Sequence, residues 1–201
     1  MQTIVLASAN KHKIKEFKEI FTDYNIVPMA EIGFCQDVEE TGTTFHQNAM
    51  IKALAIREYL DLKNLDHFVI ADDSGLCVNA LNGAPGVYSA RYSGDHNDAN
   101  NRAKLLQELN GVADRSAYFM CSIVMLDKDK NCYTGSGKVD GTILTEETGD
   151  KSFGFDCLFL SSELNKCFGL CTPEEKNSVS HRGRAIQDLL DNLKNNNYTK
   201  V

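Results

Sequence analysis

No apolar run in the 201-residue chain approaches the ~20 residues of a membrane-spanning helix. Met1-Gln2-Thr3-Ile4 lacks the basic segment that opens a secretory signal peptide. The expectation is a soluble, cytoplasmic protein with no membrane partner. Disulfide and zinc frameworks are missing as well. The seven cysteines are odd in number and form no C-x-x-C pair, which reads as reduced intracellular thiols. Even the closest pair, Cys167 and Cys171, is a poor basis for a zinc site. Positive charge is also scarce. The net charge is −7, and nucleic-acid affinity rests on many exposed cations, so neither DNA nor RNA is expected as a partner. A single nucleotide is a different case, because a few lysines and arginines focused into a cleft hold a small polyanion whatever the sign of the total. No internal repeat or low-complexity linker appears. What is present, 42% hydrophobic and 24% charged residues, is ordinary globular composition, and the length suits one compact domain, 1–201.

Along the chain, Thr3-Ile4-Val5-Leu6-Ala7 reads as a first strand. An amphipathic helix follows, with Ile14, Phe17, Ile20 and Phe21 on one face and Ser8 or Asn10 as its cap. Thr43 or Thr44 opens a second helix, whose stripe of Phe45, Ala49, Ala53, Ile56 and Leu60 keeps a helical period. The apolar run Phe68–Ala71 predicts a strand that stops at Asp72-Asp73-Ser74-Gly75, with an alternating piece from Leu76 to Ala80 beyond it. Asp98 to Leu109 predicts a helix stopped by Gly111. Ala117 to Leu126 and Cys132 to Val139, separated by a polar turn, predict a hairpin. Phe153 to Leu160 is a further strand candidate, and Thr172-Pro173-Glu174-Glu175 has the order of a capping box. A last helix starts near His181, and the tail Asn195-Asn196-Asn197 is expected to fray. Helices alternate with strands early and a hairpin comes later, so an α/β fold with a mixed sheet fits best.

Five segments carry chemistry. The acids Asp72 and Asp73, a hydroxyl and a glycine behind a buried strand read first as an Asx-type turn. They also make a candidate Mg²⁺ site, since hard divalent cations take carboxylate oxygens and α/β folds bind ligands at the carboxyl edge of the sheet. Ser8-Ala9-Asn10-Lys11-His12-Lys13 lies between a strand and a helix N-terminus, where unpaired N–H groups favour an anion. Lys13 in the first turn opposes the helix dipole, which a bound phosphate would explain, although it also stands among the solvated lysines 11, 15 and 18. Glu39-Glu40 before the second helix, with Asn48 and Lys52 on one face of it, would suit metal and phosphate, or be ordinary solvated charge. Finally, Phe153-Gly154-Phe155-Asp156 offers rings on which a purine could stack, or else a core strand, and Lys176 with Ser180-His181-Arg182-Gly183 gathers two cations and an imidazole.

As an ordered set these pieces resemble the inosine triphosphate pyrophosphatase family, the RdgB-like house-cleaning enzymes that hydrolyse deaminated purine nucleoside triphosphates. The matching blocks are Ser8-Ala9-Asn10-x-x-Lys13, Glu39 to Ala49, Ala71–Leu76, Gly83–Tyr92, Phe153–Asp156 and Ser180–Gly183. Departures fall where the family usually has glycine, tyrosine and proline and this chain has Ser152, Phe155 and Cys157. The resemblance implies a two-lobed α/β protein, an elongated mixed β-sheet flanked by helices, a central active-site cleft and a homodimer. It implies cleavage of ITP, dITP or XTP to the monophosphate and pyrophosphate. Carried over, Glu39 and Asp73 would bind Mg²⁺ and Asp73 would activate water, with Glu40 and Asp72 as helpers behind them. Lys13, Lys52 and Lys176 would neutralise the triphosphate. Ser8 to Lys13 and Ser74 would touch substrate, and Phe153, Gly154, Phe155, Asp156, His181 and Arg182 would enclose the base. On this reading a tight turn at residues 72–75 presents Asp73 to metal and water.

Overall fold

The structure, a computed structural model, describes residues 2–149 and 153–195; Ser152, Asn196 and Asn197 lie outside them. It contains β1 (Thr3–Leu6), α1 (Lys11–Ile20), β2 (Asn25–Pro28), α2 (Phe45–Leu62), β3 (Phe68–Val78), α3 (Asp98–Glu108), β4 (Ser116–Leu126), β5 (Cys132–Ile143), β6 (Phe159–Ser161), β7 (Lys166–Cys167), α4 (Pro173–Val179) and α5 (His181–Asn195), with short 3-10 turns between them. The strands form one sheet in the order β2-β1-β3-β4-β5-β6-β7. β1 runs parallel to both β2 and β3, while β6 is antiparallel to β5 and β7, so the sheet is mixed as expected. The hairpin also forms, since β4 and β5 are sheet neighbours joined by the short turn in which Asp127 Oδ1 accepts from Asn131 N–H at 2.8 Å. Among the described residues no helix is long and apolar enough to cross a membrane.

Chain contacts divide the fold into two compact units. The first comprises the described parts of Met1–Asp73, Ser122–Ser136 and Ala185–Val201. Its core sets the α2 stripe of Ala49, Ala53, Ile56 and Leu60 against Val5, Val69, Ala71 and Val124. Thr44 caps α2 in a complete capping box with Gln47, and Asn10 caps α1 by accepting from His12 and Lys13 N–H. The second unit comprises Ser74–Cys121 and Gly137–Arg184. Its core joins Leu76, Leu105, Phe119, Val139, Phe155, Phe159 and Phe168. Here Thr172 and Glu175 make the expected capping box at α4.

Two expected elements differ. No turn interrupts Asp72-Asp73-Ser74-Gly75: β3 runs unbroken from Phe68 to Val78 and is buried at every position except Ser74. The turn residues are overridden because this strand lies inside the sheet, and partners from elsewhere in the chain satisfy its acids. Phe153 to Leu160 is a strand only from Phe159 onward. Gly154 takes φ +63°, and a 3-10 turn covers Asp156–Leu158, so the alternating aromatics belong to a reversal of the chain.

Candidate functional site

β1 hands the chain to α1 while β3 continues beyond it. Their pairing ends at Leu6 opposite Ile70, and Ala7 N–H makes the last contact to the Ile70 carbonyl at 2.8 Å. Strand order β2-β1-β3 makes this a switch point, the place where open α/β sheets bind ligands beyond the strands' carboxyl ends. Asp72 and Asp73 follow directly. Successive strand side chains point to opposite faces, and the two acids find different partners. Asp72, 1% exposed, receives Lys13 Nζ of α1 at 3.0 Å on Oδ2. Asp73, 6% exposed, accepts from Asn48 Nδ2 of α2 at 3.0 Å. Lys52, one turn after Asn48, bonds Glu40 Oε1 at 2.6 Å and the Asp72 carbonyl at 2.7 Å, and stands 3.9 Å from Asp73 Oδ1.

Charge buried in a strand is costly unless paired. Both acids of β3 are paired. Burial pushes its carboxyl above the ordinary 3.8, Lys52, Lys13 and the Asn48 bond pull against that, and Glu40 reinforces it. Lys52 moves upward from 10.5: burial opposes its charge, but Asp72, Asp73 and Glu40 outweigh burial. The result is a buried carboxylate beside two ammonium groups able to take phosphate.

Asn48 is the residue that sequence reasoning undervalued; its place on the face of Lys52 was the available signal. It is fully buried, and its Oδ1 accepts from Gly42 N–H at 2.8 Å. A Cβ at Gly42 would lie 2.6 Å from that same oxygen. Gly42→Ala should therefore displace the Asn48 amide, costing about 1–3 kcal/mol in urea denaturation. Unchanged stability would show that Asn48 does not depend on Gly42.

In the second unit, Lys176 Nζ pairs with Asp156 Oδ2 at 2.6 Å and stands 4.8 Å above the Phe153 ring. Ser180 ends α4, and its Oγ accepts from Gly183 N–H at 3.0 Å, setting the first turn of α5. A Cβ at Gly183 would meet the Asn177 carbonyl at 2.4 Å, so glycine permits the close approach that buries His181 and Arg182. His181 stacks on Phe119 at 4.9 Å, and Arg182 Nη2 donates to Ser74 Oγ at 2.9 Å.

The sequence-predicted residues thus fall into two groups. Lys13, Glu40, Lys52, Asp72 and Asp73 come together in the first unit, and Ser74, Phe153, Asp156, Lys176, His181 and Arg182 lie in the second. Lys176, expected on the triphosphate, is held among aromatic rings by Asp156. Phe155, expected among the residues around the base, is 4% exposed and belongs to the core. Ala9, Asn10, Lys11, His12 and Glu39 are exposed, and Ser8 Oγ accepts from Asn10 N–H at 3.2 Å. Among the described residues no three His, Cys, Asp or Glu side chains converge as a metal cage. Magnesium does not require one, because it commonly takes one or two carboxylates and completes its shell with water and substrate phosphates. Two carboxylates, Asp73 and the exposed Glu39, fit that donor set, while Glu40 is taken by Lys52.

The Ham1 family profile matches residues 4–192. A dITP/XTP pyrophosphatase of Clostridium perfringens is 49% identical over 200 residues, covering 96% of this chain and 98% of that protein. Another, from Staphylococcus epidermidis, is 46% identical over 194 residues, covering 96% and 97%. The solved structure of the Staphylococcus aureus Ham1 protein matches with a TM-score of 0.84 at 42% identity, covering 97% of this chain and 100% of that one.

Proposed function

The chain belongs to the Ham1 family, and from that premise we propose that it hydrolyses deaminated purine nucleoside triphosphates, dITP, XTP and ITP, to the monophosphate and pyrophosphate. The observation that carries this reading is Asp73, a buried carboxylate fixed by Asn48 and flanked by Lys52. Water is a poor nucleophile at neutral pH, and phosphoryl transfer depends on positioning and charge neutralisation. Ionised Asp73 takes the proton of the attacking water. Lys13 and Lys52 neutralise the phosphates. Asp73 and Glu39 would hold Mg²⁺, which when bound adds further neutralisation of the phosphate charge.

Selectivity for deaminated bases follows from donors. Hypoxanthine and xanthine carry a 6-oxo acceptor where adenine carries an amino group. Arg182 and His181, buried and fixed by Ser74 and Phe119, are donors that adenine leaves unmatched. Sites built on such bonds discriminate by up to about 10⁴–10⁵, because buried donors without acceptors cost free energy. Phe153, half-buried beneath Lys176, is the ring on which the base stacks. Assembly as a homodimer and a cytoplasmic location are part of the same proposal and rest on the family resemblance alone.

The test is a nucleotide panel with Mg²⁺ and separate detection of pyrophosphate and orthophosphate. Pyrophosphate from dITP, XTP and ITP, with ATP and GTP turned over far more slowly, is the expected result. Orthophosphate release, equal rates on ATP, or binding without product would overturn the reading.

A further inference from the structure

Gly154 is held from both sides of its backbone by one helix. Asp98 Oδ2 of α3 accepts its N–H at 2.7 Å, and Arg102 Nη1 donates to its carbonyl at 3.0 Å. Residues four apart on a helix share a face, so both groups come from one side of α3. Each has a support of its own. Asn97 caps the helix by accepting from Asn100 N–H at 3.1 Å, which fixes the turn that carries Asp98. Glu147 Oε1 accepts from Arg102 Nε at 2.8 Å, which fixes the guanidinium.

The residues flanking Gly154 explain what is being held. Phe155 is anchored in the core, whereas Phe153 remains half-buried beneath the Lys176 ammonium. Gly154 itself has φ +63° with open space where a Cβ would be, so glycine serves the backbone conformation and not close packing. A residue with positive φ, tied at both N–H and carbonyl, determines the direction in which the preceding ring leaves the chain.

We propose that Asp98 and Arg102 are positioning residues for base recognition, acting through Gly154 to hold the Phe153 ring where a purine stacks. The inference rests on the nucleotide reading above and adds to it a helix that touches neither phosphate nor base. A ring held in place binds without first being ordered, so the pair acts on substrate affinity and leaves the chemical step alone.

The experiment is steady-state kinetics of the full chain on dITP with Mg²⁺, with melting temperatures recorded for every variant. Asp98→Ala and Arg102→Gln are each expected to raise KM about three- to tenfold with kcat within about twofold. Asp98→Asn, whose amide oxygen still accepts the Gly154 N–H, is expected to restore the wild-type KM. In a Phe153→Ala background Asp98→Ala should add less than about twofold, because the ring it positions is gone. A fall in kcat at constant KM, no rescue by Asp98→Asn, or a full additive effect beside Phe153→Ala would overturn the inference and leave the pyrophosphatase reading standing. A wild-type protein that fails to hydrolyse dITP would overturn both.

Discussion

Asp73→Asn is expected to lower kcat on dITP by about 10³-fold in a protein that remains folded. The substitution keeps the shape and an oxygen to accept from Asn48 Nδ2, removes the charge, and turns the oxygen on the Lys52 side into an amide donor. The effect on stability is small because two terms oppose each other. Burial raises the folded-state value of Asp73 above 3.8, so its contribution to stability is fully present below that ordinary value and is lost as pH rises through the folded one. At neutral pH the ionised carboxylate is thus a cost that Asn does not carry. Lys52 works in the other direction. Its folded-state value is raised from 10.5, so its contribution is fully present at neutral pH and is lost only as pH rises through the folded value, and Asp73 supplies part of it. The melting temperature of Asp73→Asn should therefore stay within about 4 °C of wild type. Turnover near the wild-type rate would remove Asp73 from the chemistry, and a collapse in melting temperature would assign it a structural role.

That Asp73 lies in the middle of a strand explains where the sequence could be read and where it could not. The α2 stripe from Ala49 to Leu60 and the boxes at Thr44 and Thr172 are local periodic signals, visible within a few residues. Asp-Asp-Ser-Gly is also local, but its strongest local reading, a turn, loses to tertiary structure. The partners that allow two acids inside β3 are Lys13 on α1 and Asn48 and Lys52 on α2, and no sequence window around residue 72 contains them. Phe153–Leu160 fails for a related reason. Alternating aromatics suit a strand, yet Gly154 turns the chain and sends Phe155 to the core. The acids, lysines and arginine of the site were legible as an ordered set of motifs. Their division, with cations of α1 and α2 beside the β3 acids and Lys176 among aromatic rings, depends on the three-dimensional arrangement. So does the promotion of Asn48 from a helix-face neighbour to the residue that holds Asp73.

Lys52→Gln is expected to lower kcat/KM at neutral pH by about 10²-fold, with part of that loss recovered as pH rises. One ammonium does three things here: it pairs with Glu40 at 2.6 Å, takes the Asp72 carbonyl at 2.7 Å and lies 3.9 Å from Asp73. After Asp73's own burial, Lys52 is the largest influence on its titration, and it acts downward. Its removal leaves only Lys13 and the Asn48 bond to oppose burial and Glu40, so the carboxyl moves higher still. Because Asp73 must be ionised to take a proton from water, the acid limb of the kcat/KM profile should move to higher pH in the variant. The deficit should shrink above that limb, and what remains at alkaline pH is the loss of a cation from the phosphates. Stability at neutral pH should fall by about 1–3 kcal/mol, since Glu40 and the Asp72 carbonyl lose a charged donor. Lys52→Arg separates the two roles, because a planar guanidinium keeps the charge but does not reproduce the three contacts of a point ammonium. It should hold the acid limb near its wild-type position and still turn over slowly. An acid limb unmoved in Lys52→Gln would mean that Asp73 titrates independently of Lys52, and that the lysine serves the phosphates alone.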